Sequence, residues 1–253
     1  MSLNKLARPP ISIAKKVRRA FATDQLRPIL LKCLRLTTKV RTGDFDYGEL
    51  REIYKILEDT TERECLFGTK DWYPHRYGRT QQIERISKVA DYCAKKYGGD
   101  FIEIGSYLGE TTKQLAEQAR KHSRRVIAVD PWEAGTQNCE GWEYDQFMAN
   151  MKPYMDILDI VRASSLDQRT INLIKSRKLC FAFVDGLHTY SACLSDILTV
   201  SHTLGIIAVD DILWDNNIML AFRRGAHITS RIPIHHKLCR EGYLIPQQKR
   251  GSR

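Results

Sequence analysis

The chain has 253 residues, 43% of them hydrophobic and 28% charged, and carries a formal net charge of +10. That length accommodates one full α/β domain with a small extension, and no apolar run approaches the roughly 18–20 residues needed to cross a bilayer. The start lacks a compact apolar segment with a cleavage site, and the seven cysteines are scattered without a CxxC or zinc spacing, so a reducing, cytoplasmic setting is expected.

The charge is unevenly placed. Residues 1–41 hold eleven Lys or Arg and a single acid, Asp24, while the remainder has 29 basic and 29 acidic residues and is formally neutral. Within this arm Ile13, Val17 and Phe21 recur every four residues, and Leu30, Leu31 and Leu34 follow. This spacing predicts one or two basic amphipathic helices interrupted by Pro9, Pro10 and Pro28. Such an arm suits peripheral contact with an anionic membrane, packing in a homo-oligomer, or attraction of an acidic glycan or nucleic acid. No nucleic-acid-binding motif accompanies it, so a nucleic-acid substrate is not inferred. A helix is predicted over Tyr47–Leu57, then a polar loop over Thr60–Glu64, then an aromatic stretch from Asp71 to Arg76. Residues 1–75 are expected to form a mainly helical extension, and residues 76–253 the main domain.

From about residue 80 helices and strands alternate. A helix over Gln81–Lys96 leads to a strand over Asp100–Ile104, and a helix over Thr111–His122 to a strand over Arg125–Asp130. A helix near Tyr144–Met151 precedes a strand over Ile157–Arg162, and a helix over Leu166–Ser176 precedes a strand over Leu179–Asp185. A helix over Tyr190–Thr203 leads to a strand over Gly205–Asp210, followed by a helix near Asn216–Arg224 and a β-rich tail, Ile228–Ile245. This alternation predicts an α/β fold with a mostly parallel sheet covered on both faces.

Two of these strands end on carboxylates. One runs Phe183-Val-Asp185-Gly-Leu-His188-Thr-Tyr190, the other Ile206-Ile-Ala-Val-Asp210-Asp211. Ligands collect beyond the carboxyl ends of strands in open α/β sheets. Three carboxylates and a histidine at that edge can hold a divalent cation beside a base, which suits chemistry on a hydroxyl group. A capping role for Asp185, a solvated turn at Asp210-Asp211 and a structural His188 are the plainer alternatives. Trp132, Trp142 and Tyr144 suit either a lid or packing, Trp214 is a candidate for the acceptor pocket, and the adjacent His235 and His236 are read as structural.

The first strand ends Glu103-Ile-Gly105-Ser106-Tyr-Leu-Gly109-Glu-Thr-Thr112, and the second ends at Asp130, an acid placed to accept ribose hydroxyls. The pattern is Gly-x-x-x-Gly without a third glycine, which favours a nucleoside site over a pyrophosphate site. The glycines alone are equally compatible with a plain turn. A carboxylate at Glu103 suits a cationic aminoacyl ligand.

These residues resemble the first two motifs of class I S-adenosylmethionine-dependent methyltransferases. The resemblance implies a Rossmann-like, doubly wound, mostly parallel seven-stranded sheet with an N-terminal helical extension. It places Glu103, Gly105, Ser106 and Gly109 near the methionine part, Asp130 on the ribose, and Ser164 and Ser165 near adenine. Val184-Asp-Gly-Leu-His-Thr-Tyr190 and Val209-Asp-Asp211 are similar to the Mg²⁺-dependent macrocin and mycinamicin sugar O-methyltransferases. By that resemblance Asp185, Asp210 and Asp211 are Mg²⁺ ligands and His188 is the general base. It covers roughly residues 98–215. Two positions depart from it: Thr203-Leu204-Gly205 stands where Pro-Gly-Gly is usual, and Leu187 where an acidic or polar residue is common. The expected function is therefore Mg²⁺-assisted methylation of a hydroxyl on a sugar, glycan or other small molecule. A metal-independent methyltransferase and a non-catalytic cofactor-binding scaffold are the alternatives.

Overall fold

The computed structural model describes residues 47–66, 74–136, 139–213, 215–235 and 239–247. The expected arm helices in residues 1–41, and Asp71, Trp72, Tyr73, Trp214 and His236, lie outside them.

Two helices come first, α1 (Tyr47–Leu66) and α2 (Pro74–Lys96). Helix α1 continues through Thr60–Glu64, where the sequence suggested a loop. Two threonines cost a helix only a few tenths of a kcal/mol each, about the propensity range of ordinary residues, and the Glu62-Arg63-Glu64 run favours it. Leu50, Ile53 and Leu57 of α1 are buried. Glu49 ties the helix down, accepting the Tyr97 hydroxyl at 2.7 Å and pairing with Lys96 at 3.2 Å.

Strands and helices then alternate: β1 (Asp100–Ile104), α3 (Glu110–Lys121), β2 (Val126–Val129), α4 (Glu143–Met151), β3 (Leu158–Val161), α5 (Gln168–Lys175), β4 (Leu179–Val184), α6 (Tyr190–Thr199), β5 (Ile206–Val209), α7 (Asn216–Ile228), β6 (Ile232–His235) and β7 (Gly242–Ile245). The seven strands form one sheet in the order β3-β2-β1-β4-β5-β7-β6. The first five in that order run parallel, and β7 is antiparallel to both of its neighbours. This is the Rossmann-like, doubly wound sheet that the sequence implies, and the β-rich tail resolves into the antiparallel pair at one edge.

Every residue of β2, β4 and β5 is buried, as a parallel sheet with helices on both faces demands. Ile102, Ile127, Ala182, Ile207 and Leu244, one from each of five strands, join Ile197 of α6 and Phe222 of α7 in a continuous apolar core. Cys93, Cys139, Cys180, Cys193 and Cys239 are all free and buried. No described helix is long and apolar enough to cross a membrane.

Candidate active site

The sheet register builds the site. Ile104 pairs with Val129 and Val184, and Val184 pairs with Val209, so four adjacent strands end level. The residues that follow, Gly105, Asp130, Asp185 and Asp210, therefore leave the sheet along one edge. Backbone bonds extend the ladder past the strands: Gly105 N donates to Val129 O at 2.8 Å, Asp185 N to Ile104 O at 2.8 Å and Asp210 N to Val184 O at 2.9 Å. The strand order reverses between β1 and β4, the switch point at which such sheets bind ligands. A cleft of ≈ 1100 Å³ opens there, lined by Gly105, Asp130, Ser164, Ser165, Asp185 and His188 among others.

One end of the cleft is made of backbone and short polar side chains. Gly105 has φ +89°, and a Cβ on it would lie 2.0 Å from the Asp185 carbonyl oxygen, so only glycine lets β1 and β4 turn outward side by side. Asp130 is buried, and its two oxygens accept the backbone amides of Tyr107 at 3.0 Å and Trp132 at 2.8 Å. Burial raises its pKa and these amide bonds oppose the rise. Tyr107 and Trp132 both sit at φ 45°, a left-handed conformation that costs about 1–3 kcal/mol and persists where the surroundings impose it. The Trp132 indole donates to Tyr107 O at 2.7 Å and packs on Phe147, which locks the two loops together.

The Ser106 hydroxyl is buried without a partner. An orphaned polar atom beside a cleft calls for a ligand or water. Glu103 is buried below the cleft and accepts the Thr112 hydroxyl at the start of α3. Gly109 caps α3 at φ +85° against Phe147 and Met151 of α4. Neither lines the cleft; both shape the turn that carries Gly105 and Ser106.

The other end is ionic. Ligand atoms of Asp185, His188 and Asp211 all lie within 4.8 Å of one another. His188 Nε2 is 3.5 Å from Asp185 Oδ1 and 3.2 Å from Asp211 Oδ2. Asp185, then Asp211, hold the imidazolium charge, and the His188 pKa is pushed up to about 10 although burial works against it. Asp211 has φ 54°. Burial disfavours its charge, but His188 and Arg240 outweigh this and hold its carboxyl below the usual range.

Asp210, expected beside Asp211, borders a small adjoining cavity with Asp185 and His188, and its Oδ2 lies 3.5 Å from Arg240 Nη2. It is absent from the cleft lining and accepts Gln82 Nε2 of α2 at 2.5 Å and the Asp211 amide at 2.7 Å. Burial, then the charges of Asp185 and Asp211, push its pKa well up.

Sequence reasoning passed over Arg240 and Gln82. Arg240 lines the cleft and binds Asp211 Oδ1 through Nη2 at 2.5 Å and Nε at 2.9 Å. Both reach the acidic edge from outside the motifs, 29 and 128 residues away in the chain, and no local pattern announces them. Of the three aromatic residues after β2, Trp132 is core and Tyr144 lies between Trp132 and the Arg162 guanidinium. Trp142 is 49% exposed.

Residues 102–212 match a family model described as a methyltransferase domain. These residues form a methyltransferase domain. The matched segment runs from β1 to the residue after Asp211, so it contains both ends of the cleft. No curated protein matches the sequence of this methyltransferase. Its fold is similar to that of the TDP-rhamnose 3'-O-methyltransferase CalS11 of calicheamicin biosynthesis (13% identity, 82% of this chain and 99% of that chain, TM-score 0.51). It is also similar to the O-methyltransferase NovP (16% identity, 66% of this chain and 80% of that chain, TM-score 0.50).

Proposed function

We propose that this methyltransferase acts on a hydroxyl of a sugar or other small molecule, with His188 as the base and a divalent cation held between Asp185 and Asp211. The observation that carries this reading is the convergence of Asp185, His188 and Asp211 at the end of the cleft whose other end is Asp130. The similarity of fold to CalS11 and NovP supports oxygen as the accepting atom.

The cofactor end fits S-adenosylmethionine. Asp130 accepts the amides of Tyr107 and Trp132, and the Ser106 amide also acts on it; a carboxylate offers about four lone-pair sites, which leaves it able to accept a ribose hydroxyl. Ser106 Oγ supplies an unused donor and acceptor, and Ser164 and Ser165 line the wall beyond β3. When bound, the cofactor supplies an electrophilic methyl group.

His188 would take the proton of the acceptor hydroxyl, leaving its oxygen free to receive that methyl group. Most of the rate comes from holding the two reactants in line, and proton removal adds roughly 10²–10⁴-fold. Two carboxylates and an imidazole fit Mg²⁺ through their oxygens. A cation there would stabilise the developing alkoxide and, by neutralising the same carboxylates, let His188 act as a base nearer neutral pH.

Arg240 favours a second reading. With Arg240 and the imidazolium of His188 already on Asp185 and Asp211, the cluster is charge-balanced without a metal. In that case His188 is a base only in its neutral form, and turnover should rise with pH as the imidazolium loses its proton.

The test is methyl transfer to a panel of sugar and phenolic hydroxyls, with Mg²⁺ or with EDTA, in wild type and His188→Ala. Loss of turnover both in EDTA and in His188→Ala supports the first reading. Full turnover in EDTA with loss in His188→Ala supports the second. Activity retained in His188→Ala overturns both assignments of the base.

A further inference from the structure

Asp196, on α6, is 1% exposed, and neither carboxylate oxygen has a hydrogen-bond partner. Leaving a buried polar group unsatisfied costs about 1–3 kcal/mol, and more for a charge. Native proteins rarely keep such a group without a use for it.

Its surroundings indicate the use. Asp196 lies directly behind the cleft wall. A Cβ on Gly186 would come within 2.9 Å of Asp196 Oδ2, so the loop after β4 rests on the carboxylate. From the loop after β3, the Ser165 hydroxyl faces the same carboxyl. It lies close enough to oppose the rise in pKa caused by burial, though outside hydrogen-bond geometry. Gly186 and Ser165 both line the cleft. The two loops thus approach one carboxylate, which has an acceptor to offer each of them.

We propose that Asp196 is a positioning residue for cofactor binding: it draws Ser165 and Gly186 together behind the cleft wall and so sets the affinity for S-adenosylmethionine. Asp196 does not touch the ligand. The wall closes when the cleft is filled, and the Ser165 hydroxyl then donates to Asp196. Making this bond satisfies a buried carboxylate, and that gain is part of the binding free energy. Because both loops flank the cofactor and one carries Asp185 and His188, closure also fixes the acidic end relative to the bound methyl group. The proposal rests on the reading of this cleft as the cofactor site.

The experiment is calorimetric titration with S-adenosylhomocysteine, alongside thermal melting of each variant. Asp196→Ala is expected to weaken binding about tenfold, the effect of one lost hydrogen bond of about 1.4 kcal/mol. Asp196→Asn, which keeps an acceptor, is expected to stay within about threefold of wild type. The double variant Ser165→Ala/Asp196→Ala is expected to bind no more weakly than the weaker of the two single variants, because both lose the same bond. A purely structural role would lower the melting temperature and leave affinity unchanged, and that result, or an additive cycle, overturns the proposal. Should Asp196→Ala fail to fold, Ser165→Ala takes its place: it deletes the donor and should weaken binding about tenfold, and unchanged affinity overturns the proposal. Wild type failing to bind S-adenosylhomocysteine would overturn the cofactor reading itself, a result distinct from variants that bind as wild type does.

Discussion

Arg240 binds one oxygen of Asp211 while His188 faces the other: Nη2 of Arg240 is 2.5 Å from Oδ1, and Nε2 of His188 is 3.2 Å from Oδ2. This buried carboxylate thus already has a positive group on each side. A metal ion at this position must share Asp211 with Arg240, and it competes with the His188 charge for both Asp185 and Asp211.

Removing that competitor gives the first prediction. Arg240→Met keeps much of the side-chain volume and deletes the charge. It should lower the Mg²⁺ concentration needed for half-maximal methyl transfer, by about tenfold for a 1.4 kcal/mol gain. Titrating activity with Mg²⁺ in both proteins measures this. If neither protein responds to Mg²⁺, Asp211 serves Arg240 and His188 alone, and the metal-independent reading stands.

Asp130 carries the second. Its carboxylate fixes two left-handed residues, Tyr107 and Trp132, and faces the cleft with its remaining lone pairs. Asp130→Ala deletes both functions. S-adenosylhomocysteine affinity should fall by roughly 10–100-fold, since hydrogen bonds to a charged group contribute about 1.5–3 kcal/mol. An unchanged dissociation constant by calorimetry would remove Asp130 from the cofactor site.

A third prediction concerns pH and stability. Burial raises the Asp196 pKa from 3.8 to about 7, with Ser165 opposing. Between the two values the unfolded chain has lost this proton and the native state keeps it. The native state therefore binds more protons there, and stability falls as pH rises through that window. Asp196→Asn lacks the titration. Urea denaturation at about pH 5 and about pH 7.5 should show the variant gaining on wild type at the higher pH. A constant difference between the two proteins would mean that Asp196 is ionised throughout.

The strand ends could be read from the sequence because their signals are local. A buried apolar run followed by an acid needs only a few residues to recognise, and parallel pairing then sets those ends level. The seven-stranded sheet and the cluster of Asp185, His188 and Asp211 follow from this. The orientation of Asp210 is a different matter. Asp211 turns into the left-handed region at φ 54° and meets the cleft, while Asp210 reaches Gln82 of α2 at 2.5 Å and Arg240 at 3.5 Å. How the two aspartates divide between these partners depends on where α2 and Arg240 dock. Those contacts span 128 and 29 residues and leave no periodic trace. Asp196 was legible only as one polar residue in an amphipathic helix, because its significance lies in the donors it lacks.

The last prediction tests whether those distant elements hold the site in place. Arg85 of α2 and Glu241, which follows Arg240, form a fully buried ion pair, with Nε 2.6 Å from Oε1 and Nη2 3.3 Å from Oε2. The Tyr243 hydroxyl adds a bond to Glu241 at 2.9 Å. Glu241→Ala strands a buried guanidinium and should cost about 3–5 kcal/mol in urea denaturation. Arg85→Met/Glu241→Leu removes both charges at similar volume and should return stability to near the wild-type level, because the desolvation of the pair offsets most of its attraction. Activity then separates stability from placement. Helix α2 also delivers Gln82 to Asp210, and the chain beside Glu241 delivers Arg240 to Asp211. If the pair sets their position, the double variant will be stable yet impaired in methyl transfer, with S-adenosylhomocysteine affinity retained. A stable double variant with full activity would confine Arg85 and Glu241 to the stability of the fold.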